Sequence, residues 1–325
     1  MKAIPVPIDW KPNLSIFASE PFLRYVGDDY GWLGGFNAEG EQRCILPYTI
    51  IRKAIFRLIR FRVETIPLTD GLSVEEEKEF LTSALEYFQS IKGGVIIPAT
   101  TNSIFRSFPD GAVAVPYGTY IIRLDQSEET LWSNLKPRCR NKIRNAIKKG
   151  AEIREGFEQR SIAYRIIKDT LKRSRLNFIS YEKFEQLVNT LNENIKILVV
   201  YVQGIAQGCA VIPFSAFSAY FLYGGSIERP LVGSMNFLHW EAIKMFRNLG
   251  IQRYDFVGVR IMPEKGSKQE GLSLFKRQFG GQLIEGYMWK YPLSKWQYLA
   301  YEIAIRLDRG GDIVDSERKR LRKRL

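Results

Sequence analysis

A helical pattern of apolar residues stands out in the first third of the chain. The apolar positions recur at the spacing of one helix face: Phe80, Leu81, Ala84, Leu85, Phe88 and Ile91. Ser73, with Glu76 three residues later, predicts a capping box at the start of this helix. Gly93 and Gly94 predict its end.

Strand patterns lie on both sides of this helix. Residues 32–48 predict a β-hairpin around the turn residues 37–40, and residues 95–98 predict a short buried strand. Residues 55–66 are basic and apolar, and their periodicity fits a strand or a helix. The first half therefore reads as β, β, α, β, with that one segment left open.

The second half alternates strand and helix patterns more regularly. Strands are predicted at residues 120–124, 195–202, 207–214, 219–223, 251–257 and 283–290. Helices are predicted at residues 127–149 (broken near Pro137), 162–173, 181–192, 232–248, 272–278 and 292–307. Three consecutive strands joined by tight turns imply an antiparallel meander, and the helix after them implies a crossover to a parallel neighbour.

This order of elements is that of the GNAT acyltransferase fold. We therefore expect an α/β protein with two GNAT-like domains and mixed, mostly antiparallel sheets. The first domain, residues 1–116, would be a divergent copy of the unit, and the second would span residues 117–308. Residues 309–325 would form a basic C-terminal tail.

Composition limits the partners, metal sites and mechanisms to be considered for this chain. The net charge of +13 over 325 residues favours phosphate-rich ligands, RNA or anionic membrane surfaces as partners. The three cysteines are widely spaced and do not suggest a disulfide framework or a zinc site. The single histidine, His239, excludes mechanisms that need two histidines in one chain. Residues 197–227 are uncharged but interrupted by turn residues, so they predict buried strands and not a membrane span.

Four segments in order resemble the FemAB-like transferases, the aminoacyltransferases that form peptidoglycan bridges. They are KPRCRNKIRNAIKKG (residues 136–150), FLYGGS (221–226), GIQRYDFVG (250–258) and GLSLFK with the following FG (271–280). The resemblance covers residues 117–290. Residues 96–99 depart from it, because they lack the carboxylate that lipid-II-type members tend to carry there.

The resemblance implies an acyltransferase that needs no bound cofactor and no metal. It would move an aminoacyl group from aminoacyl-tRNA to an amine of a nucleotide- or lipid-linked cell-wall precursor. Lys276, in the family's Phe-Lys motif with Phe275, would be catalytic and would stabilise the oxyanion of acyl transfer. Tyr223, Arg175 and Tyr181, with Phe275, would bind substrate.

Each of these residues also has an ordinary alternative. Lys276 could be a solvated lysine on a short helix, and Tyr223 could be a core aromatic residue. Asp255 could orient a ligand or accept hydrogen bonds from a neighbouring turn, and the second is expected. His239 is given no role, because a lone histidine in an amphipathic helix is more often structural than catalytic.

Two other functions stay open. One is an acyltransferase of the same fold with an acyl-CoA or other thioester donor, acting in polysaccharide or cell-envelope synthesis. Against it, residues 227–234 lack the glycine-rich acetyl-CoA run of GNAT enzymes. The other is a non-catalytic module that binds RNA or membranes.

The basic segments and the N-terminus indicate where in the cell the protein is expected. The helix at residues 136–149 is rich in cations that suit phosphates. The tail could touch anionic lipid at the inner face of the membrane, and could equally be a disordered end. The N-terminus lacks a signal-peptide pattern, so a cytoplasmic protein is expected.

Overall fold

Two β-sheets with helices packed on them make up this computed structural model, which describes residues 1–323. The strands are β1 (Lys2–Val6), β2 (Asp29–Phe36), β3 (Gln42–Lys53), β4 (Phe56–Phe61), β5 (Ile66–Pro67), β6 (Val95–Ile96), β7 (Val113–Arg123), β8 (Ala151–Glu155), β9 (Ile195–Val202), β10 (Ile205–Pro213), β11 (Ala219–Tyr220), β12 (Tyr223–Ser226), β13 (Arg253–Asp255) and β14 (Gln282–Pro292). The helices are α1 (Glu20–Val26), α2 (Val74–Ser90), α3 (Glu128–Asn134), α4 (Pro137–Lys148), α5 (Arg160–Lys172), α6 (Tyr181–Leu191), α7 (Ser234–Asn248), α8 (Lys268–Arg277), α9 (Lys295–Arg309) and α10 (Ile313–Arg322).

The larger sheet runs through both halves of the chain. Its strand order is β1-β2-β3-β4-β6-β14-β7-β13-β11, with β5 paired to β3. Only the β4–β6 and β11–β13 pairs are parallel among its described strands. The expected mixed, mostly antiparallel sheet is therefore confirmed. Strand β7 crosses the predicted boundary between residues 116 and 117, and the division into two domains stays a prediction.

The first half follows its local signals. Ser73 caps α2, and its hydroxyl and the Glu76 carboxylate exchange hydrogen bonds with each other's backbone N–H groups, which confirms the capping box. Strands β2 and β3 form the predicted hairpin. The ambiguous residues 55–66 contain strand β4, which lies between β3 and β6 and is held by backbone pairing on both sides.

The smaller sheet has the order β12-β10-β9-β8 and is covered on both faces. Successive residues of β9 point to opposite sides, so that Leu198 and Val200 pack towards α4 and α7. Ile197 and Val199 pack towards α5 and α6. Burial on both faces explains the long uncharged stretch in the sequence.

The prediction for this sheet misses one strand and is wrong about another. Strand β8, antiparallel to β9, was not predicted. The segment predicted as one strand at residues 219–223 is two strands, because β11 pairs with β13 in the larger sheet while β12 pairs with β10. The chain thus changes sheets at residues 221–222, and the predicted three-stranded meander is interrupted there.

The C-terminal segment is more ordered than the composition suggested. Residues 313–322 of the predicted basic tail form α10, although a disordered end was one alternative. Arg324 of the predicted tail, and Leu325, lie outside the described residues. No helix among residues 1–323 has both the length and the apolar character to cross a lipid bilayer.

Candidate functional site

Lys276 reaches from α8 to the turn that follows β13. Its Nζ donates hydrogen bonds to the carbonyl oxygens of Val257 and Gly258, the latter at 2.6 Å. Both of these residues have positive φ angles, 44° and 23°. An ammonium group has three donors, so one N–H remains for a further oxygen. Lys276 is therefore a buried cation on a strained turn and not a solvated lysine.

Asp255 stabilises the same turn by hydrogen bonds. Its Oδ1 accepts hydrogen bonds from the Thr119 hydroxyl at 2.5 Å and from the Val257 N–H at 2.7 Å. This is the hydrogen-bonding role expected from the sequence. Burial lowers the pKa of Lys276 to about 8, and the charge of Asp255 opposes this fall. The pKa of Lys276 is thus only slightly above neutral pH.

Tyr223, Arg175 and Tyr181 lie around one loop. The ring of Tyr223 is half-buried and edge-on to Phe178, with centroids 5.1 Å apart. Phe178 lies between Arg175, which is exposed and has φ 55°, and Tyr181, the first residue of α6. The structure therefore places Tyr223 against the loop that runs from Arg175 to Tyr181.

This loop is connected to the helix that carries Lys276. Lys268, at the start of α8, donates a hydrogen bond to the hydroxyl of Ser174, the residue before Arg175. Val257, whose carbonyl receives Lys276, belongs to the same apolar cluster as Phe178 and Tyr223. Through Val257, the predicted catalytic lysine is thus connected to the apolar cluster that the predicted tyrosine borders.

Phe275 faces a different side of α8 from Lys276. It lines an open groove of about 520 Å³ between α8 and α4. The basic residues of this groove are Lys136, Arg138, Lys142 and Arg277. No carboxylate lines it, so it is a positively charged groove with an aromatic side chain in its wall. We call it the α4–α8 groove.

Arg62 is a site residue that the sequence analysis missed. It lies just after β4, is 6% exposed, and donates to the carbonyl of Val26 at 2.6 Å and to the Thr49 hydroxyl at 2.9 Å. No carboxylate within residues 1–323 pairs with it. Its charge acts on Tyr223, since the guanidinium groups of Arg62 and Arg60 counter the rise in the tyrosine pKa that burial causes. The first half thus places a buried cation, without a carboxylate partner among residues 1–323, close enough to Tyr223 for its charge to act on that residue.

Glu64 is the second missed residue. Its side chain keeps 27% of its surface accessible, yet its surroundings are deep enough that desolvation raises its pKa to about 7. Arg253, at 3.9 Å, opposes this rise, and the charge of Asp255 adds to it. Beside Arg253, Glu64 is thus a partly exposed carboxylate whose pKa is raised chiefly by desolvation. In the sequence, Glu64 looks like an ordinary charge at the end of a strand.

His239 has no part in proton transfer near neutral pH. It is fully buried among aromatic rings, and its Nδ1 shares a hydrogen bond with the Tyr254 hydroxyl at 2.9 Å. Burial, with the nearby charge of Lys276, lowers its pKa to about 3. The histidine is therefore neutral, which agrees with the structural role predicted for it.

Comparison with known proteins gives a partial sequence match. The chain is 29% identical over 115 residues to the lipid II:glycine glycyltransferase of Staphylococcus haemolyticus (strain JCSC1435). This match spans 35% of the present chain and 27% of that protein, so it covers about a quarter of the curated relative's length. No protein-family model matches the chain.

Two solved structures show the fold. FemX superposes with a TM-score of 0.69 at 16% identity, covering 92% of this chain and 99% of FemX. The resemblance to the FemAB-like transferases is confirmed. A tandem GNAT protein from the clavulanic acid biosynthesis pathway superposes with a TM-score of 0.50 at 9% identity, covering 84% of this chain and 86% of that one. The expected GNAT-like α/β fold of the FemAB-like transferases is thus confirmed as well.

Proposed function

We propose that the chain is a FemAB-like acyltransferase that moves an aminoacyl group from aminoacyl-tRNA to an amine of a peptidoglycan precursor. The observation that carries this proposal is the buried Lys276 cation on the Val257–Gly258 turn, beside Asp255, whose charge acts on both Lys276 and Glu64. The fold shared with FemX and the partial match to a lipid II:glycine glycyltransferase support the substrate class.

The proposed reaction needs a proton acceptor and an oxyanion partner. The acceptor amine attacks the ester carbonyl of the aminoacyl-tRNA, forming a C–N bond and a tetrahedral oxyanion. Glu64, with its pKa raised to about 7, takes the proton that the amine loses. The ammonium group of Lys276 stabilises the oxyanion. Collapse then breaks the C–O bond, and the leaving tRNA oxygen takes the proton held by Glu64 and departs as a hydroxyl.

We assign the acceptor to the surroundings of Tyr223. Peptidoglycan precursors carry phosphates and carboxylates, and a buried unpaired guanidinium binds such groups strongly. Arg62 supplies that group, and Arg175 and Tyr181 lie on the loop next to Tyr223. These substrate-binding roles are part of the proposal.

The donor is assigned to the α4–α8 groove. Its cations suit the phosphates of a tRNA acceptor end, and Phe275 offers a ring on which a base can stack. An acyl-CoA donor would need the N-terminus of α7 for its pyrophosphate. That end is covered by α4, because the Lys142 carbonyl lies against Gly233, where a Cβ would collide with it. This packing favours tRNA over the thioester donor.

Transfer is tested with tRNA charged with labelled amino acids and with nucleotide-linked or lipid-linked precursors as acceptors. We expect label on the precursor, and a loss of about 10²- to 10³-fold in kcat for Lys276→Ala. Lys265→Ala, an exposed lysine ahead of α8, is the matched control and should keep wild-type activity. Full activity of Lys276→Ala would remove its assigned role.

Binding of charged tRNA separates the two donors. Affinity should fall with salt, and Arg138→Gln with Lys142→Gln should reduce the slope of log affinity against log salt by about 1 to 2. Acyl-CoA should not compete. Turnover with acyl-CoA and no preference for tRNA would contradict the donor assignment.

A further inference from the structure

The outward face of α9 carries a row of apolar residues that the described residues leave uncovered. Trp296, Leu299, Ile303 and Leu307 are 53% to 84% exposed. Their spacing of three, four and four residues places them within one narrow stripe of the helix. The opposite face holds α9 against the sheet, where Tyr301 and Ile305 pack on Leu58, Val95 and Ile97. We call the exposed residues the α9 stripe.

Helix α10 separates its charges between two faces. Its carboxylates point inwards, since Asp315 contacts Lys290 at 2.7 Å and Glu317 contacts Arg260 at 2.6 Å. Apart from Ser316, the exposed residues of α10 and of the position after it are cationic: Arg318, Lys319, Arg322 and Lys323. We call these four residues the α10 cations. Their charge is not neutralised by the acidic residues of their own helix.

The two features form one surface. The α10 cations and Arg306 of α9 line the same open cavity of about 750 Å³. At 100° per residue, Arg306 borders the α9 stripe next to Leu299 and Ile303, and Lys295 borders it on the same side. An apolar row thus has cations along one edge.

Buried polar contacts hold the two helices of this surface in place. Lys290 of β14 is fully buried and contacts Glu302 of α9 at 2.5 Å and Asp312 at the start of α10 at 3.0 Å. Tyr301 donates a hydrogen bond to the same Asp312 carboxylate at 3.1 Å. Both helices are therefore anchored to the larger sheet, and the surface needs no folding step before it binds.

We propose that the α9 stripe and the α10 cations dock the protein on bilayers that contain anionic phospholipid. Apolar side chains bordered by cations match the acyl boundary and the negative headgroups of such a membrane. RNA would be matched by the cations alone and would leave the stripe unexplained. The inference does not depend on the transferase activity, because vesicle binding is measured without turnover.

Co-sedimentation of the full chain with vesicles tests this surface. We expect binding to vesicles of phosphatidylcholine mixed with phosphatidylglycerol, and much weaker binding to phosphatidylcholine alone. Each cation near an anionic surface contributes about fivefold. Four such cations together contribute up to about 600-fold, so a variant with Arg318→Gln, Lys319→Gln, Arg322→Gln and Lys323→Gln should lose binding by more than about tenfold even if only two of them lie at the surface. A variant with Leu299→Ser, Ile303→Ser and Leu307→Ser should lose binding as well, and Trp296 fluorescence should shift to the blue only when the wild-type protein binds.

A charge-matched variant serves as the control. Lys2→Gln, Lys11→Gln, Lys53→Gln and Lys92→Gln remove four exposed lysines from the first half of the chain. This variant should bind as the wild type does, and thermal unfolding should show that all variants are folded.

Three results would overturn the proposal. The first is a wild-type chain that does not bind anionic vesicles. The second is a loss of binding no greater in the surface variants than in the charge-matched control. The third is a wild-type dimer that the stripe variant converts to a monomer, because a second copy would then cover the α9 stripe.

Discussion

Glu64 and Lys276 carry pKa values moved in opposite directions by the same cause. Burial raises the pKa of Glu64 to about 7 and lowers that of Lys276 to about 8. Below the first value Glu64 is protonated and cannot accept the amine proton, and above the second Lys276 loses its charge. We therefore expect kcat to fall on both sides of a narrow optimum between these two pH values.

Glu64→Gln tests the acid side of this profile. The variant should lose about 10²- to 10³-fold in rate, and its remaining activity should no longer fall as the pH drops through 7. Glu41→Gln, an exposed glutamate in the β2–β3 turn, is the control. An unchanged acid limb in Glu64→Gln would assign that limb to the acceptor amine and remove Glu64 from the mechanism.

Sequence reasoning finds a candidate site residue most readily where a recognisable segment carries it. The Phe-Lys motif led to Lys276, and the run at residues 250–258 led to Asp255, because each lies in a recognisable segment. Arg62 and Glu64 lie in no such segment. Their pKa values are shifted only because the second half of the chain packs near them. Sequence periodicity cannot show that a charge at the end of a strand will be desolvated by residues such as Tyr223 and Arg253.

At the scale of elements, Lys290 joins two helices to a strand. Its ammonium group contacts carboxylates of Glu302, Asp312 and Asp315, and these hydrogen bonds raise its pKa although burial opposes the rise. Lys290→Met would leave these carboxylates without their cation. We expect the free energy of unfolding to fall by about 3–5 kcal/mol, measured by denaturant titration.

The control for this change is Lys295→Met, at the exposed start of α9, which should alter stability by less than about 0.5 kcal/mol. Adding Glu302→Gln to Lys290→Met should recover part of the loss, since it removes one buried negative charge. Equal effects of Lys290→Met and Lys295→Met would show that the cluster does not stabilise the two helices.

Elements were predictable where the local pattern is sufficient. The capping box of α2 and the β2–β3 hairpin follow from a few neighbouring residues, and both were predicted. The division between β11 and β12 depends on which strands lie beside them, and the sequence does not contain that information locally. The inward face of α10 was hidden by composition, because Glu317 and Arg320 look like part of a uniformly charged run until their burial is known.

At the scale of the whole molecule, hydrogen bonds connect α10, the helix that we propose faces the membrane, to the candidate site. Arg320, on the inner face of α10, donates to the carbonyls of Met262 and Ile261 at 2.6 Å and 3.0 Å. These residues belong to the segment that joins the Val257–Gly258 turn to α8. One side chain of α10 therefore supports the connection between Lys276 and its two carbonyl partners.

Arg320→Met should separate the two roles proposed for α10, which are docking on the membrane and support of the turn beside Lys276. Because Arg320 is only 7% exposed, vesicle binding should be retained through the α10 cations. Turnover should fall by about ten- to a hundredfold, because freeing the segment at residues 259–267 displaces the turn that Lys276 contacts. Lys265→Met, an exposed change in the same segment, is the matched control for both assays. If Arg320→Met lowered vesicle binding and left turnover intact, α10 would serve the membrane alone, and the turn beside Lys276 would hold its shape without it.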